Sequence, residues 1–352
     1  MTERIDIKSK TIEELKEVLS VWQEKPFRAA QIFGWIHEKR VSSCEEMTNI
    51  SKALREKLAQ ECDWTSIKEI DRLESVDGTK KFLFELSDGQ AIESVLMKYH
   101  HGNSVCISSQ AGCRMGCRFC ASTLGGLIRN LKASEMLEQI YEIERITGEP
   151  VSNVVVMGTG EPMDNYENFI RFVRILSAKE GKNISVRNIT VSTCGIVENI
   201  RRLAEENLPL TLALSLHAPN DEIRKQMMPI AFKYKLEEVL AACDYYYEKT
   251  SRRITYEYSL VKGVNDSAEC AKELATRLKG KNCHVNLIPV NPIKERDFRK
   301  SGTEVIQNFK NILEKKSIAC TIRREMGSDI NAACGQLRRS HSEKNNMDRE
   351  EE

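Results

Sequence analysis

The sequence has few aromatic residues and almost no net charge. Phe, Trp and Tyr make up 6% of its 352 residues, and 53 basic against 52 acidic side chains leave a formal charge of +1. This balance excludes a surface field that would attract nucleic acid over the whole molecule, so any such site must be local. Hydrophobic residues still make up 41% of the chain, which is enough to bury a sizeable core.

Long hydrophobic runs are also missing. No stretch approaches the ~20 apolar residues of a membrane-spanning helix, and none follows the first residues of the chain. We therefore predict a cytoplasmic protein with no membrane partner. The 12 cysteines are too few, in a chain of this length, for a disulfide scaffold. Most of them, including Cys194, Cys243 and Cys283, are predicted to be small buried residues.

Three cysteines stand apart because they lie on one short loop. Cys113, Cys117 and Cys120 form a C-x3-C-x2-C run. A structural zinc site normally uses four protein ligands, whereas three thiolates on a 4Fe-4S cluster leave one iron open to a small molecule. The run therefore favours such a cluster. A zinc site with a distant fourth ligand, or a disulfide with a spare thiol, remains an alternative.

Four basic residues surround this loop in the sequence, namely Arg114, Arg118, Arg129 and Lys132. Side chains of this kind more often form a solvated surface. Beside a reactive centre, however, they would suit the phosphates of a nucleic acid.

The order of helical and strand patterns predicts an α/β fold. Helical spacing predicts a small helical domain over residues 1–62, and alternation with a turn at residues 87–89 predicts a β-hairpin extension over 63–102. Residues 103–337 should form a partial TIM-type barrel of six βα units, which are too few to close the usual eight strands. The charged residues 338–352 are predicted to be a disordered tail. The six barrel strands are expected at residues 105–108, 154–157, 189–191, 210–216, 254–261 and 285–288.

In barrels of this kind the functional side chains stand at the carboxyl ends of the strands. The cysteine loop follows the first predicted strand, and Gly158-Thr159-Gly160-Glu161 follows the second. We therefore expect the polar residues after the strands to face one barrel mouth. Besides the cysteine loop, these residues are Gly160, Glu161, Ser192, Ser215, Leu216, His217 and Asn291.

The glycine motif after the second strand is not a dinucleotide fingerprint, because it lacks the third glycine and the helix start. Two glycines before a carboxylate can instead let the backbone approach the ammonium group of a ligand. A tight turn with no ligand is the alternative. For His217, the alternative is a buried structural histidine.

Together with Asn331-Ala332-Ala333-Cys334-Gly335-Gln336-Leu337, these motifs resemble the radical S-adenosylmethionine RNA methyltransferases of the RlmN and Cfr type. The resemblance runs from about residue 27 to 337. The cysteine run alone indicates the superfamily, whereas Ala-Ala-Cys-Gly-Gln-Leu is specific to this family. Glu161-Pro162 resembles the branch that methylates C2 of adenine, because the C8 branch tends to carry alanine after the glutamate. Methylation of C8, and a non-catalytic metal-bearing RNA-binding protein, are the alternatives.

The resemblance implies a set of cofactors and partners. These are one 4Fe-4S cluster, two S-adenosylmethionine molecules per turnover, and an electron donor such as a flavodoxin or ferredoxin. The implied substrates are adenine 2503 of 23S rRNA and adenine 37 of tRNA, and the protein is expected to be a monomer. The small N-terminal domain would dock RNA through Lys25, Arg28, Lys39 and Arg40. The implied cofactor-binding residues are Gly160, Glu161, Ser192, Ser215, Leu216, His217 and Asn291.

The resemblance also implies three catalytic residues. Cys334 would carry the methyl group to the base, and Cys106 would release the resulting protein–RNA adduct by forming a disulfide with Cys334. Glu93 would accept the proton. Without the resemblance, a buried apolar-like Cys106 and a surface Glu93 would be favoured.

Overall fold

A computed structural model of the chain describes residues 4–291, 296–324 and 326–330. The N-terminal part is helical, and a pair of short parallel strands joins its two ends. Thr11 caps the first helix, where a capping box satisfies free amides: Thr11 Oγ1 accepts from the amide of Glu14, and the Glu14 carboxylate accepts from the amide of Thr11. The elements are β1 (Ile5–Asp6), α1 (Ile12–Val21), α2 (Arg28–His37), α3 (Lys52–Glu61) and β2 (Cys62–Asp63).

A hairpin extends the main sheet with antiparallel strands. The turn between its second and third strands lies at residues 87–89, as the sequence predicts, and Gly89 adopts a φ of 79° there. The sheet continues into the first strand of the barrel, which pairs antiparallel with the hairpin. These strands are β3 (Lys68–Glu74), β4 (Lys80–Glu85), β5 (Ala91–Tyr99) and β6 (Gly102–Ile107).

The barrel alternates strands and helices, and its strands from β6 onward are parallel. A separate two-stranded ribbon, β7 (Gln110–Gly112) and β8 (Leu127–Asn130), brackets the cysteine loop. The strands that follow are β9 (Val151–Val156), β10 (Ile189–Thr193), β11 (Thr211–Ser215), β12 (Ile254–Leu260), β13 (Cys283–Pro289) and β14 (Ala319–Ile322). The helices are α4 (Ala133–Thr147), α5 (Tyr166–Ser177), α6 (Val197–Glu205), α7 (Asp221–Met227), α8 (Leu236–Thr250), α9 (Ala268–Leu278) and α10 (Thr303–Lys315).

The predicted α/β fold with a partial TIM-type barrel is confirmed. The six predicted strands are present, and β14 pairs with β13 as a further parallel strand that the sequence pattern did not reveal. It is a four-residue edge strand, and so short a run has little periodicity to detect. The division of the chain at residues 62, 102 and 337 stays a prediction, and residues 331–352, with Cys334 and the predicted tail, lie outside the described residues.

Alternation along the parallel strands separates an apolar face from a polar one. Val191, Leu214 and Tyr256 belong to the main core, which includes the surrounding helices. The opposite face, called here the inner face, carries Ser192 on β10, Ser215 on β11, Glu257 on β12 and Asn286 on β13. Ser215 pairs with Glu257, and Glu257 pairs with Asn286, in register across the sheet. The fold therefore gathers polar side chains inside the barrel.

Among the helices of the described part, none is long and apolar enough to cross a membrane.

Candidate active site

The cysteine loop is held on both sides by backbone contacts. The amide of Cys113 donates to the carbonyl of Gly126 at 2.8 Å, which closes the β7–β8 ribbon. The amide of Arg118 donates to the carbonyl of Met227 at 2.9 Å, which ties the loop to the end of α7. The hydroxyl of Thr123 donates to the carbonyls of Cys117 and Cys120. These contacts give the loop a defined shape without any contribution from the thiols.

The thiols of the loop lie in an environment that fits a cationic group. Cys113 and Cys117 are buried, and Cys120 is half-buried. Burial raises the pKa of Cys113 to about 12 and that of Cys117 well above its usual value. Thiolates here therefore need a positively charged partner, and three thiolate donors suit an iron–sulfur cluster. Within the described ranges, no three His, Cys, Asp or Glu side chains converge on a site for a single metal ion.

A cavity of about 210 Å³ opens beside the loop at the barrel mouth. It brings together four residues that the sequence predicted to bind the cofactor, namely Ser192, Ser215, His217 and Asn291, and it reaches Cys120. The hydroxyls of Ser192 and Ser215 lie 3.4 Å apart. The cavity is also lined by residues that the sequence did not single out: Phe119, Ala121, Met157, Glu257, Ser259, Ile288, Pro289, Val290 and Arg323.

His217 is fixed in one orientation. The amide of Ser259 donates to Nδ1 at 2.9 Å, so the proton of the neutral ring is on Nε2. Burial lowers the pKa of His217 to about 3, with a smaller effect from the charge of Arg224. The ring forms a T-shaped contact with Phe119 of the cysteine loop, at 4.6 Å between ring centres. His217 therefore lines the cavity as a neutral hydrogen-bond donor.

The glycine motif packs against the neighbouring strand. A Cβ at Gly158 would lie 2.7 Å from the carbonyl of Ile107, and one at Gly160, where φ is 112°, would lie 2.6 Å from Cβ of Gln110. Neither glycine lines the cavity. The close packing between the segments after β9 and β6 thus explains why both positions require glycine, in addition to the predicted approach of the backbone to a ligand.

Glu161 is turned toward the protein. Its carboxylate accepts hydrogen bonds from the amides of Met163 at 3.0 Å and Cys194 at 2.7 Å, and burial raises its pKa. Leu216 is buried, and its amide donates to the carbonyl of Glu257 at 3.0 Å. Neither residue lines the cavity. Their roles in cofactor binding stay predictions.

Glu93 and Cys106 lie near each other on neighbouring strands. Val95, two residues after Glu93, pairs with Cys106, so the two side chains point to the same face of the sheet. Cys106 is buried with Val95, Met97 and Met157. Glu93 is also buried, and its carboxylate forms an ion pair with Lys81 at 3.0 Å. The interpretation of Glu93 as a surface residue is therefore wrong, whereas Cys106 is buried as expected.

Three of the four basic residues near the cysteine loop are engaged in ion pairs. The guanidinium of Arg114 binds Asp164 through two nitrogens. That of Arg129 binds both Asp88 and Glu135. Lys132 lies 3.9 Å from the carboxylate of Asp63, and the side chain of Arg118 donates to the carbonyl of Gln226. Arg118 is exposed and forms no ion pair with a described carboxylate, so its charge is the one of the four that is not already paired there.

The predicted buried cysteines are confirmed, since Cys194, Cys243 and Cys283 are all inaccessible or nearly so. In the N-terminal part, Arg40 pairs with Glu144 of α4, and Lys39 lies over the ring of Trp35. Sequence reasoning missed Lys81, Arg224 and Glu257, which are buried charged side chains close to the site. Lys81 and Glu257 could have been found from the sequence, because a charged residue inside a strand of alternating apolar residues indicates a buried charge.

Comparisons with known proteins agree with this architecture. Residues 5–63 match the family model described as the ribosomal RNA large subunit methyltransferase N-terminal domain, and residues 107–275 match that of the radical SAM superfamily. A protein of Lachnoclostridium phytofermentans named probable dual-specificity RNA methyltransferase RlmN is 68% identical, over 98% of this chain and 97% of its own. A protein of the same name from Lachnospira eligens is 61% identical, over 96% of this chain and 97% of its own.

A solved structure extends the likeness to three dimensions. The crystal structure of a radical SAM methyltransferase from Sphaerobacter thermophilus is 44% identical and has a TM-score of 0.88, covering 94% of this chain and 98% of that chain. The match therefore includes the N-terminal helices as well as the barrel. The chain belongs to the RlmN family of radical SAM RNA methyltransferases.

Proposed function

We propose that this enzyme methylates C2 of adenine in RNA, at adenine 2503 of 23S rRNA and at adenine 37 of tRNA. The observation that carries the proposal is the shared cavity, in which Cys120 of the cysteine loop meets Ser192, Ser215 and His217. A three-cysteine loop needs a ligand on its fourth side, and this cavity provides polar contacts at that place. Because the members of this family are RNA methyltransferases, and therefore enzymes, the interpretation as a non-catalytic RNA-binding protein is wrong.

The chemistry of C2 requires a radical route. This carbon is sp2 and has no nucleophilic lone pair, so it cannot attack the sulfonium methyl of S-adenosylmethionine directly. A 4Fe-4S cluster held by Cys113, Cys117 and Cys120 supplies, together with S-adenosylmethionine, the means to generate a radical. The neutral ring of His217 donates from Nε2 into the cavity, and the hydroxyls of Ser192 and Ser215 offer further hydrogen bonds there.

The remaining catalytic steps are carried out by three residues of the chain. Cys334 carries the methyl group that ends on the base, and two S-adenosylmethionine molecules are used in each turnover. Cys106, on the same face of the sheet as Glu93, attacks the sulfur of Cys334 as a thiolate. The disulfide forms as the bond from that sulfur to the carbon on the base breaks, and the electron pair of the broken bond leaves with the carbon, which releases the RNA. Glu93 accepts the proton lost from C2, and the ion pair with Lys81 keeps its carboxylate in place inside the protein. The burial of both Glu93 and Cys106 near the barrel supports these roles.

Partners of the enzyme follow from this chemistry. The target base must leave its stack to reach the barrel, and loop nucleotides make this less costly. The N-terminal helices dock the RNA. The match of residues 5–63 to an N-terminal domain model of rRNA methyltransferases supports this role. A flavodoxin or ferredoxin supplies electrons, and the enzyme acts as a monomer.

The deciding experiment is mass spectrometry of nucleosides. Ribosomal RNA and tRNA are incubated anaerobically with the cluster-reconstituted enzyme, a reductant and methyl-labelled S-adenosylmethionine. We expect labelled 2-methyladenosine from both RNAs. Labelled 8-methyladenosine would instead assign the enzyme to the C8 branch, and label in one RNA alone would remove the other substrate from the proposal.

A further inference from the structure

Arg224 on α7 is a fully buried arginine behind the cysteine loop. Its Nη2 donates to the carbonyl of Cys194 at 2.7 Å, and its Nε donates to the carbonyl of Leu216 at 3.3 Å. Nη1 is buried and has no hydrogen-bond partner in the described part of the chain. No carboxylate of that part forms an ion pair with the guanidinium. Its positive charge is therefore held by two neutral carbonyls.

This charge lies next to the cysteine loop. Cys117 and Cys194 belong to one small apolar cluster with Met227, the residue that ends α7 one turn after Arg224. The backbone of the loop is bonded to the same place through the carbonyl of Met227. Because Arg224 binds the carbonyl of Cys194, and Cys194 packs in the same buried cluster as Cys117, the guanidinium lies close to a thiol of the cysteine loop inside the protein.

A buried charge without a counter-ion is costly, because burial removes its hydration. Its presence here calls for an anion, and the described residues supply none in an ion pair with it. A 4Fe-4S cluster with three thiolate ligands carries a net negative charge, and one-electron reduction adds another. A nearby cation therefore lowers the energy of the reduced cluster more than that of the oxidised cluster. Charge and hydrogen bonding are among the factors that set the reduction potential of such clusters.

We propose that Arg224 is a positioning residue that raises the reduction potential of the cluster through its charge behind Cys117. This inference rests on the proposed function, because it requires a cluster on Cys113, Cys117 and Cys120. The cluster takes one electron from a low-potential protein donor of the flavodoxin or ferredoxin class. A higher potential lets that donor reduce a larger fraction of the enzyme before the substrate is attacked.

The test is an anaerobic redox titration of the cluster-reconstituted full chain, with the reduced cluster followed by electron paramagnetic resonance. Arg224→Gln and Arg224→Met remove the charge, and Arg224→Lys keeps it. We expect either neutral variant to shift the equilibrium for reduction at least tenfold toward the oxidised cluster, which is 59 mV for one electron. Arg224→Lys should retain most of the potential of the parent. Two neutral variants of different shape guard against a failure of one to fold.

Arg118→Gln is the matched control. Arg118 lies within the cysteine run but is exposed, so water and salt screen its charge and the potential should move much less. An unchanged potential in the neutral Arg224 variants would overturn the inference, as would an equal shift in Arg118→Gln or in Arg224→Lys. Failure of the parent protein to assemble a cluster would instead overturn the proposed function itself, which keeps the two outcomes separate.

Discussion

The ammonium of Lys81 lies 3.0 Å from the carboxylate of Glu93, and both side chains are buried. Lys81 is on β4 and Glu93 on β5, where the register sets Lys81 opposite Val95, two residues after Glu93. The pair therefore joins two neighbouring strands diagonally, on the face that also carries Cys106. Removing one partner of a buried ion pair is strongly destabilising, because the charge that remains loses its short contact while it stays out of water.

Replacing Lys81 should therefore damage both stability and activity. We expect Lys81→Met to lower the free energy of unfolding by about 3–5 kcal/mol, the usual cost of removing one partner of a buried ion pair. Urea unfolding of the cluster-free protein measures this cost. The control is Lys80→Met on the same strand, whose ion pair with Glu74 at 3.3 Å is partly exposed and should be worth less than about 1 kcal/mol. Equal effects of the two substitutions would contradict a special role for Lys81.

The two proposed catalytic cysteines should fail at different steps. Cys106→Ala should leave a protein–RNA adduct that cannot be resolved, whereas Cys334→Ala should prevent the adduct from forming. A denaturing gel shift that disappears on nuclease treatment measures the adduct. Cys243→Ala is the control, because Cys243 is buried in α8 and has no proposed role. Absence of the shifted band from Cys106→Ala would remove Cys106 from the resolving role.

The backbone at Gly160 should not tolerate a side chain. Its φ of 112° and a contact of 2.6 Å between an added Cβ and Cβ of Gln110 predict that Gly160→Ala loses at least about 2 kcal/mol of unfolding free energy. Gly302→Ala offers the comparison, since nothing lies within 4 Å of an added Cβ there. Thermal or urea unfolding of the two variants gives the measurement. A Gly160→Ala protein as stable as Gly302→Ala would show that the loop after β9 can move away.

Burial of His37 should make the protein less stable in acid. Burial lowers the pKa of His37 from 6.5 to about 3, with a smaller effect from the charge of Lys8. Between these pH values the unfolded chain binds the proton and the folded one does not, so this stability is present above pH 6.5 and falls as the pH is lowered. The loss by pH 5 should be about 2 kcal/mol.

The substitution His37→Phe tests this dependence. It removes the titrating ring, and with it the hydrogen bond to the hydroxyl of Tyr141 at 3.0 Å, so the variant is compared with itself at two pH values. Urea unfolding at pH 7 and pH 5 should show a difference smaller by about 2 kcal/mol than in the parent protein. The same difference in both proteins would mean that other groups cause the acid sensitivity.

The sequence alone was sufficient for features that depend on neighbours along the chain. The spacing of Cys113, Cys117 and Cys120 predicted a shared loop, and the order of strand and helix patterns predicted the barrel. The rule that functional residues follow the strands placed Ser192 and His217 at the mouth, where the structure has them beside one cavity. Local periodicity carries this information because it reports which face of an element is buried.

Tertiary structure alone decided which distant residues meet. The pairing of Lys81 with Glu93 depends on strand register, and the presence of Glu257 in the cavity depends on how β12 lies beside β11 and β13. Arg224 reaches the carbonyl of Cys194, 30 residues away, only because α7 folds back under the cysteine loop. Such contacts are set by packing between segments far apart in the chain, and burial, which gives a charge its energetic weight, exists only once the chain has folded.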